Sequence, residues 1–218
     1  MASQKWNFLY ALIITLVVFN LGIFFGYKLE TSRINQISDW AFQAELETLD
    51  QQAQAGAFDV VGDLNCTKLI DGNIAFADRI YQEALKIDDY EKANRFNNDI
   101  TLQHKRYDLL RTLFWMNSIK IKNKCNADYH TVVYIYQYNA PSLDTKSKQS
   151  VFSNKLGELK NKYGDKIMLI PIAGDNDILS IELLKDKYSV TELPVILVEE
   201  AAKFTEIDDL DNIEAVLK

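Results

Sequence analysis

Two cysteines and two histidines are the side chains of this sequence best suited to thiol chemistry or zinc binding. Cys66 and Cys125 lie far apart, whereas a dithiol redox motif has two residues between its cysteines. His104 and His130 add no spacing of the kind that binds zinc. We therefore expect no metal, no cofactor and no catalytic residue. A thiol–disulfide oxidoreductase that uses both cysteines is the alternative.

The two cysteines bracket a pair of segments with helical periodicity, about 67–96 and about 99–122. A chain reversal at Asn97 would give arms of nearly equal length and bring the cysteines together. A reversal at Asp88, which begins a capping-box pattern, would leave unequal arms, and the sequence leaves both open. We predict a Cys66–Cys125 disulfide, which would stabilise the fold by about 3–4 kcal/mol and indicates an oxidising compartment.

A short polar turn, Tyr138–Ser142, is the next candidate site. It follows the apolar run Thr131–Tyr136, whose β-branched and aromatic residues predict a buried strand. A predicted helix over 143–163 comes directly after the turn. Asn139 and Ser142 are residue types that cap helix N-termini well, and we interpret both of them as caps.

This order of strand, proline-containing turn and helix resembles the thioredoxin family. In that family the strand ends in Trp-Cys-Gly-Pro-Cys, and the two cysteines exchange thiols and disulfides. Here Tyr138 takes the tryptophan position, Ala140 replaces the glycine and Pro141 keeps the proline. Asn139 and Ser142 stand where the family has its cysteines.

The downstream segments keep the order of the same family, so the resemblance covers about residues 128–218. It implies a strand, a helix, a strand opened by a proline and a closing helix, at 166–172, 177–188, 193–198 and 208–218. The proline, Pro194, resembles the family's cis-proline beside the active site. The resemblance therefore implies a cis bond between Leu193 and Pro194 and an α/β thioredoxin-like domain.

The chemistry of the family is what this sequence lacks. Thiol exchange needs a thiolate, which neither Asn139 nor Ser142 supplies. The family's buried acid on the first strand corresponds to Val133, which cannot ionise. The substrate groove of the family would remain as a binding site. By resemblance it is formed by Tyr138, Asn139, Ala140, Pro141, Ser142, Leu193 and Pro194.

An uncharged run, Phe8–Tyr27, comes near the start of the chain. As a helix its 20 residues would be about 30 Å long, which matches the hydrocarbon thickness of a bilayer. No small-x-small cleavage site follows it, so we predict an uncleaved signal-anchor with a single pass through the cell membrane. Gly22 and Gly26 form a small-xxx-small pair that favours a homodimer.

The remaining segments and the composition complete the prediction of an α+β chain. A helix is expected over 29–55, followed by a loop over 56–65. The resulting organisation is an anchor at 1–28, a helical region at 29–127 and the thioredoxin-like domain at 128–218. The net charge is −7, and an acidic surface repels phosphate backbones, which argues against nucleic acid as a partner.

Together these features predict a membrane-anchored, redox-inactive thioredoxin-like protein whose soluble part is extracytoplasmic. Its groove would bind a protein or peptide partner at the membrane by backbone hydrogen bonds. Besides the oxidoreductase, the second alternative is a purely structural subunit of a membrane complex.

Overall fold

This computed structural model describes residues 2–60, 65–93 and 98–217. The helices are α1 Ala2–Val60, α2 Cys66–Ala93, α3 Asn98–Cys125, α4 Leu143–Tyr163, α5 Leu179–Lys187 and α6 Ile213–Val216. The strands are β1 His130–Tyr136, β2 Ile167–Ala173, β3 Val195–Val198 and β4 Ala202–Phe204. Short 3₁₀ helices cover Gly164–Lys166 and Ile207–Asn212. The chain divides into two compact units, Met1–Gln43 and Ala44–Lys218.

The first unit is helical, and its segment Phe8–Ser32 is long and apolar enough to cross a membrane. The mean hydropathy there is 2.5. The side chains of Thr15 and Asn20 donate hydrogen bonds to carbonyls four residues earlier, at 2.9 and 2.7 Å. One donor of each side chain is thereby satisfied within the helix, as the interior of a bilayer favours.

In the second unit, two predictions about the helical region were wrong. The loop predicted at 56–65 is helical as far as Val60, because a single glycine such as Gly56 lowers helix stability by only about 1 kcal/mol. Residues 61–64 lie outside the described part of the chain. The reversal predicted as one alternative at Asp88 is also wrong, since α2 continues to Ala93.

Helices α2 and α3 have 28 residues each, so a hairpin between Ala93 and Asn98 gives arms of equal length. This arrangement brings Cys66 and Cys125 to a Cα–Cα distance of 5.4 Å, and the predicted disulfide is formed. The reversal at Asn97 itself lies outside the described residues.

The four strands form a mixed sheet in the order β2-β1-β3-β4. Strand β1 is parallel to β2 and antiparallel to β3, which is antiparallel to β4. Every residue from Thr131 to Ile135 is buried, because β1 is central and both of its faces are covered. Alternate residues along the strand face opposite sides of the sheet.

The sheet has a core on each face. One core packs α4 against side chains of β1 and β3; its members include Phe152, Leu156, Val132 and Ile196. The other core packs the hairpin of α2 and α3 against the opposite face; its members include Phe76, Leu110, Phe114, Val133 and Leu197. The hairpin and the sheet therefore share one core. The domain boundaries expected at 28 and 127 remain a prediction.

The C-terminal part has the thioredoxin-like fold that the sequence predicted. Helix α4 follows the turn after β1, and the Leu193–Pro194 bond before β3 is cis. The closing helix is shorter than predicted, because Ile207–Asn212 is a 3₁₀ helix and α6 contains four residues. Strand β4 was not predicted.

Candidate functional site

Ser142 begins α4 in the role predicted for it. Its backbone is extended, and its Oγ accepts a hydrogen bond from the backbone N–H of Thr145 at 3.1 Å. Asp144 in the first turn adds a negative charge where the helix dipole favours one. The Ser142 hydroxyl therefore stabilises a helix end.

Asp175, in the loop after β2, fixes the other end of the turn. Its Oδ1 accepts the backbone N–H of Tyr138 at 2.7 Å, and its Oδ2 accepts that of Asn139 at 2.9 Å. The exposed Asn139 is thus held through its backbone, while Ser142 supplies the cap. Two charge-assisted hydrogen bonds that one carboxylate accepts define the turn's position.

The same loop contacts the segment that carries the cis bond. The backbone N–H of Gly174 donates to the carbonyl of Tyr136 at 2.8 Å. A Cβ at Gly174 would lie 3.0 Å from Leu193 Cδ1 and 2.6 Å from Ile135 Cγ2, so only glycine fits without a shift. Leu193 therefore packs directly against the backbone of the loop that holds the turn.

The predicted groove residues lie where the inner strands β1 and β3 end and begin. Ile135 and Val195 are Cα partners, so β1 ends where β3 begins, and the turn and the cis-proline segment emerge together. Their exposure differs: Asn139, Pro141 and Ser142 are exposed, whereas Tyr138, Ala140 and Leu193 are half-buried and Pro194 is buried. Pro194 is thus the least exposed of the predicted groove residues.

A chain of polar side chains lies behind the turn. The ring of Tyr138 packs on that of His104, with 4.2 Å between the centroids. His104 is buried, and its Nε2 is 3.0 Å from the Tyr136 hydroxyl while its Nδ1 is 2.9 Å from Asp108 Oδ2. These contacts join α3 to the end of β1.

Asp108 is the fully buried carboxylate of this region, and sequence reasoning missed it. It accepts the backbone N–H of Ala173 at 3.1 Å and the amide of Asn176 at 2.7 Å, besides its contact with His104. Arg111 Nη1 lies 3.5 Å away. The signal was available in the sequence as three polar residues on the otherwise apolar side of α3, at 104, 108 and 111.

A cavity of about 480 Å³ opens between α2, α3, α4 and the ends of β1 and β2. Tyr138 and His104 form part of its wall, so it adjoins the turn. Tyr134 also lines it, and burial raises the pKa of that hydroxyl above its ordinary value. No sequence pattern indicated this cavity.

The disulfide lies far from the turn. His104 contacts Tyr138, and Cys125 ends the same helix, about 30 Å further along at about 1.5 Å per residue. His130 pairs with Glu199 at 3.1 Å, at the opposite end of β1 from the turn. Among the described residues, no three side chains of the His, Cys, Asp and Glu types are grouped to bind a metal.

No protein-family model and no curated protein matches the chain. Among solved structures, it is similar to the germline-specific thioredoxin Deadhead of Drosophila melanogaster, at 21% sequence identity and a TM-score of 0.35. That likeness covers 47% of this chain and 94% of the other. The description of the fold rests on the chain's own strand pairing, turn and cis bond.

Proposed function

We propose that this chain is a membrane-anchored thioredoxin-like protein that does not exchange thiols and that binds an extended polypeptide in its groove. The observation that carries the proposal is what Asn139 and Ser142 do at the two positions where the resembled family has its cysteines. Ser142 caps α4 and Asn139 is held by its backbone, so neither position offers a thiolate.

The groove has features that suit an extended partner. The backbone groups of Glu192 and Leu193 form no hydrogen bond with another described residue, so they are free to pair with a second chain. Asn139 of the turn is exposed and Ala140 is half-buried, so both can contact a partner, and half-buried Leu193 adds apolar surface. Backbone pairing would supply affinity, and these side chains would supply specificity.

Anchoring is supported by the apolar segment Phe8–Ser32 and an oxidising compartment by the disulfide. Together they favour a single pass with an extracytoplasmic soluble part. Gly22 and Gly26 have open space where a side chain would begin, which favours close approach of a second copy. Replacing both glycines by leucine should then abolish a dimer seen by crosslinking in membranes.

The test of groove binding uses a photo-crosslinking amino acid in the full-length protein in its native membrane. Placed at Asn139, it should yield one discrete polypeptide adduct. Placed at the exposed Asp209, it should yield none. Leu193→Arg should abolish the Asn139 adduct, because it adds charge and bulk at the groove wall. Equal adducts at Asn139 and Asp209 would count against a groove function.

The same preparation addresses the alternatives. Insulin reduction that exceeds background and disappears in Cys66→Ser would establish the oxidoreductase instead. A partner that copurifies in fixed stoichiometry, and still does so in Leu193→Arg, would favour the structural subunit.

A further inference from the structure

We propose that the cavity between α2, α3 and α4 binds a small molecule with an aromatic or apolar body and one carboxylate. Its volume of about 480 Å³ is within the usual range of ligand pockets, about 300–1,000 Å³. This proposal does not depend on polypeptide binding in the groove.

The carboxylate partner is Arg111, whose side chain lines the cavity. Arg111 is 3% exposed, yet its Nε is buried and has no hydrogen-bond partner in the described structure. A buried donor without a partner is unfavourable by about 1–3 kcal/mol, more for a charged group. A guanidinium pairs with a carboxylate through two parallel hydrogen bonds, so a carboxylate that reaches Arg111 would give partners to its N–H groups.

Asp108 does not fill that role. Its contact with Arg111 is long, 3.5 Å, and its two oxygens already accept from Ala173, Asn176 and His104. The guanidinium therefore retains capacity for an anion in the cavity.

The charge of the residues that line the cavity also favours an anionic ligand. Among the described residues that line the cavity there is no aspartate or glutamate, although the whole chain has a net charge of −7. The cations are Arg111 and the exposed Lys146. Asp108 offsets the charge of Arg111, so Lys146 supplies the net positive charge of the lining, and it favours entry of an anionic ligand.

The walls fit an aromatic or apolar body. Tyr134 and Tyr136 point to the same face of β1, and their rings stack with 5.4 Å between centroids. Leu156 and Leu169 add aliphatic surface, and Tyr81 of α2 lines the cavity as well. A planar ring would find flat aromatic surfaces here, which offset or edge contacts stabilise.

The test uses 6-fluoro-2-naphthoate and its neutral amide, with binding to the full-length protein in neutral detergent followed by ¹⁹F NMR. The carboxylate should bind at least tenfold more tightly than the amide. Arg111→Gln should weaken carboxylate binding at least tenfold and leave amide binding unchanged. Arg79→Gln is the matched control, since the Arg79 side chain is 56% exposed and does not line the cavity.

A second pair of variants tests the location without touching the charge. Gly157 of α4 lines the cavity, and a Cβ there would have no neighbour within 4 Å. Gly157→Leu should fill the cavity and abolish binding of both probes, whereas Gly157→Ala should leave both unchanged. Equal affinities for carboxylate and amide, unchanged binding in Gly157→Leu, or no binding at millimolar concentration would each overturn the proposal.

Discussion

At the scale of single residues, two carboxylates from outside the turn determine where the candidate site lies. Asp175 accepts two backbone N–H groups of the turn, and Asp108 accepts one from the end of β2. Buried backbone donors need partners, and these two side chains supply them where strand pairing ends. The sequence predicts Ser142 as a cap, whose partner is three residues away, but not these contacts between distant segments.

Replacing Asp175 should loosen the turn. Asp175→Asn leaves one carbonyl oxygen for two donors, so we expect the free energy of unfolding to fall by about 1–2 kcal/mol. Denaturant unfolding measures it, with Asp177→Asn as the control. Asp177 is exposed with φ of 54°, a conformation that asparagine tolerates well. Equal stability of both variants would show that the Asp175 contacts do not hold the turn.

Glu200 should make stability depend on pH. Burial is the main reason that its pKa is raised, against the opposing hydrogen bonds from Trp115 and Thr131. A raised pKa means that ionisation is less favourable in the folded state, so stability falls as pH rises from below the unfolded pKa of about 4.3 through the folded pKa.

Glu200→Gln keeps the oxygen that accepts both hydrogen bonds and removes the buried charge. The variant should be more stable than the parent at pH 7 and equal to it at pH 3. Thermal unfolding at both pH values measures the difference, and a variant less stable at pH 7 would contradict the burial argument.

At the scale of elements, the β3–β4 hairpin shows why some structure was not predictable. Its turn has Glu199 and Glu200 at φ of 54° and 56°, where Asn-Gly is the usual signal. Contacts outside the hairpin stabilise this conformation: Glu199 pairs with Lys122 and His130, and Glu200 accepts hydrogen bonds from Trp115. Long-range contacts overrode the local preference, so β4 had no sequence signature.

The α2–α3 hairpin was predictable in outline because two helical periodicities and two cysteines constrained it. Loss of its disulfide should be costly, since the bond closes a loop of 59 residues. Unfolding is compared with and without reductant. We expect the reductant to lower the free energy of unfolding by about 4 kcal/mol. The double variant with serine at Cys66 and Cys125 is the control, and reductant should not affect it. A change below 1 kcal/mol would mean that helix packing alone holds the hairpin.

At the scale of the whole molecule, the sequence predicts that the sheet is buried but not that the α2–α3 hairpin covers one of its faces. The sequence predicted a helical segment that includes Phe114 and a buried strand that includes Val133, but it could not show that these two side chains share one core. The pairing of a helix with a sheet face depends on shape over many side chains, which a linear pattern does not contain.

Anchoring belongs to this scale as well. The segment Phe8–Ser32 should keep the full-length protein in the membrane pellet through alkaline carbonate extraction. Leu16→Arg together with Val17→Arg should release it, because charges near the centre of a span are strongly unfavourable. An N-terminus mapped beyond Tyr27, or release of the parent protein, would show that the segment is not a retained anchor.

The Cys66–Cys125 disulfide also determines how the chain responds to mechanical force. Force applied between the two chain ends is transmitted from Cys66 to Cys125 through the disulfide, so the backbones of α2 and α3 carry no tension. The chain between the cysteines, whose sequence separation is 59, does not contribute to the stretched length, which is shorter by about 20 nm at about 3.6 Å per residue. Optical-tweezer extension should therefore lengthen by about that amount when a reductant is added.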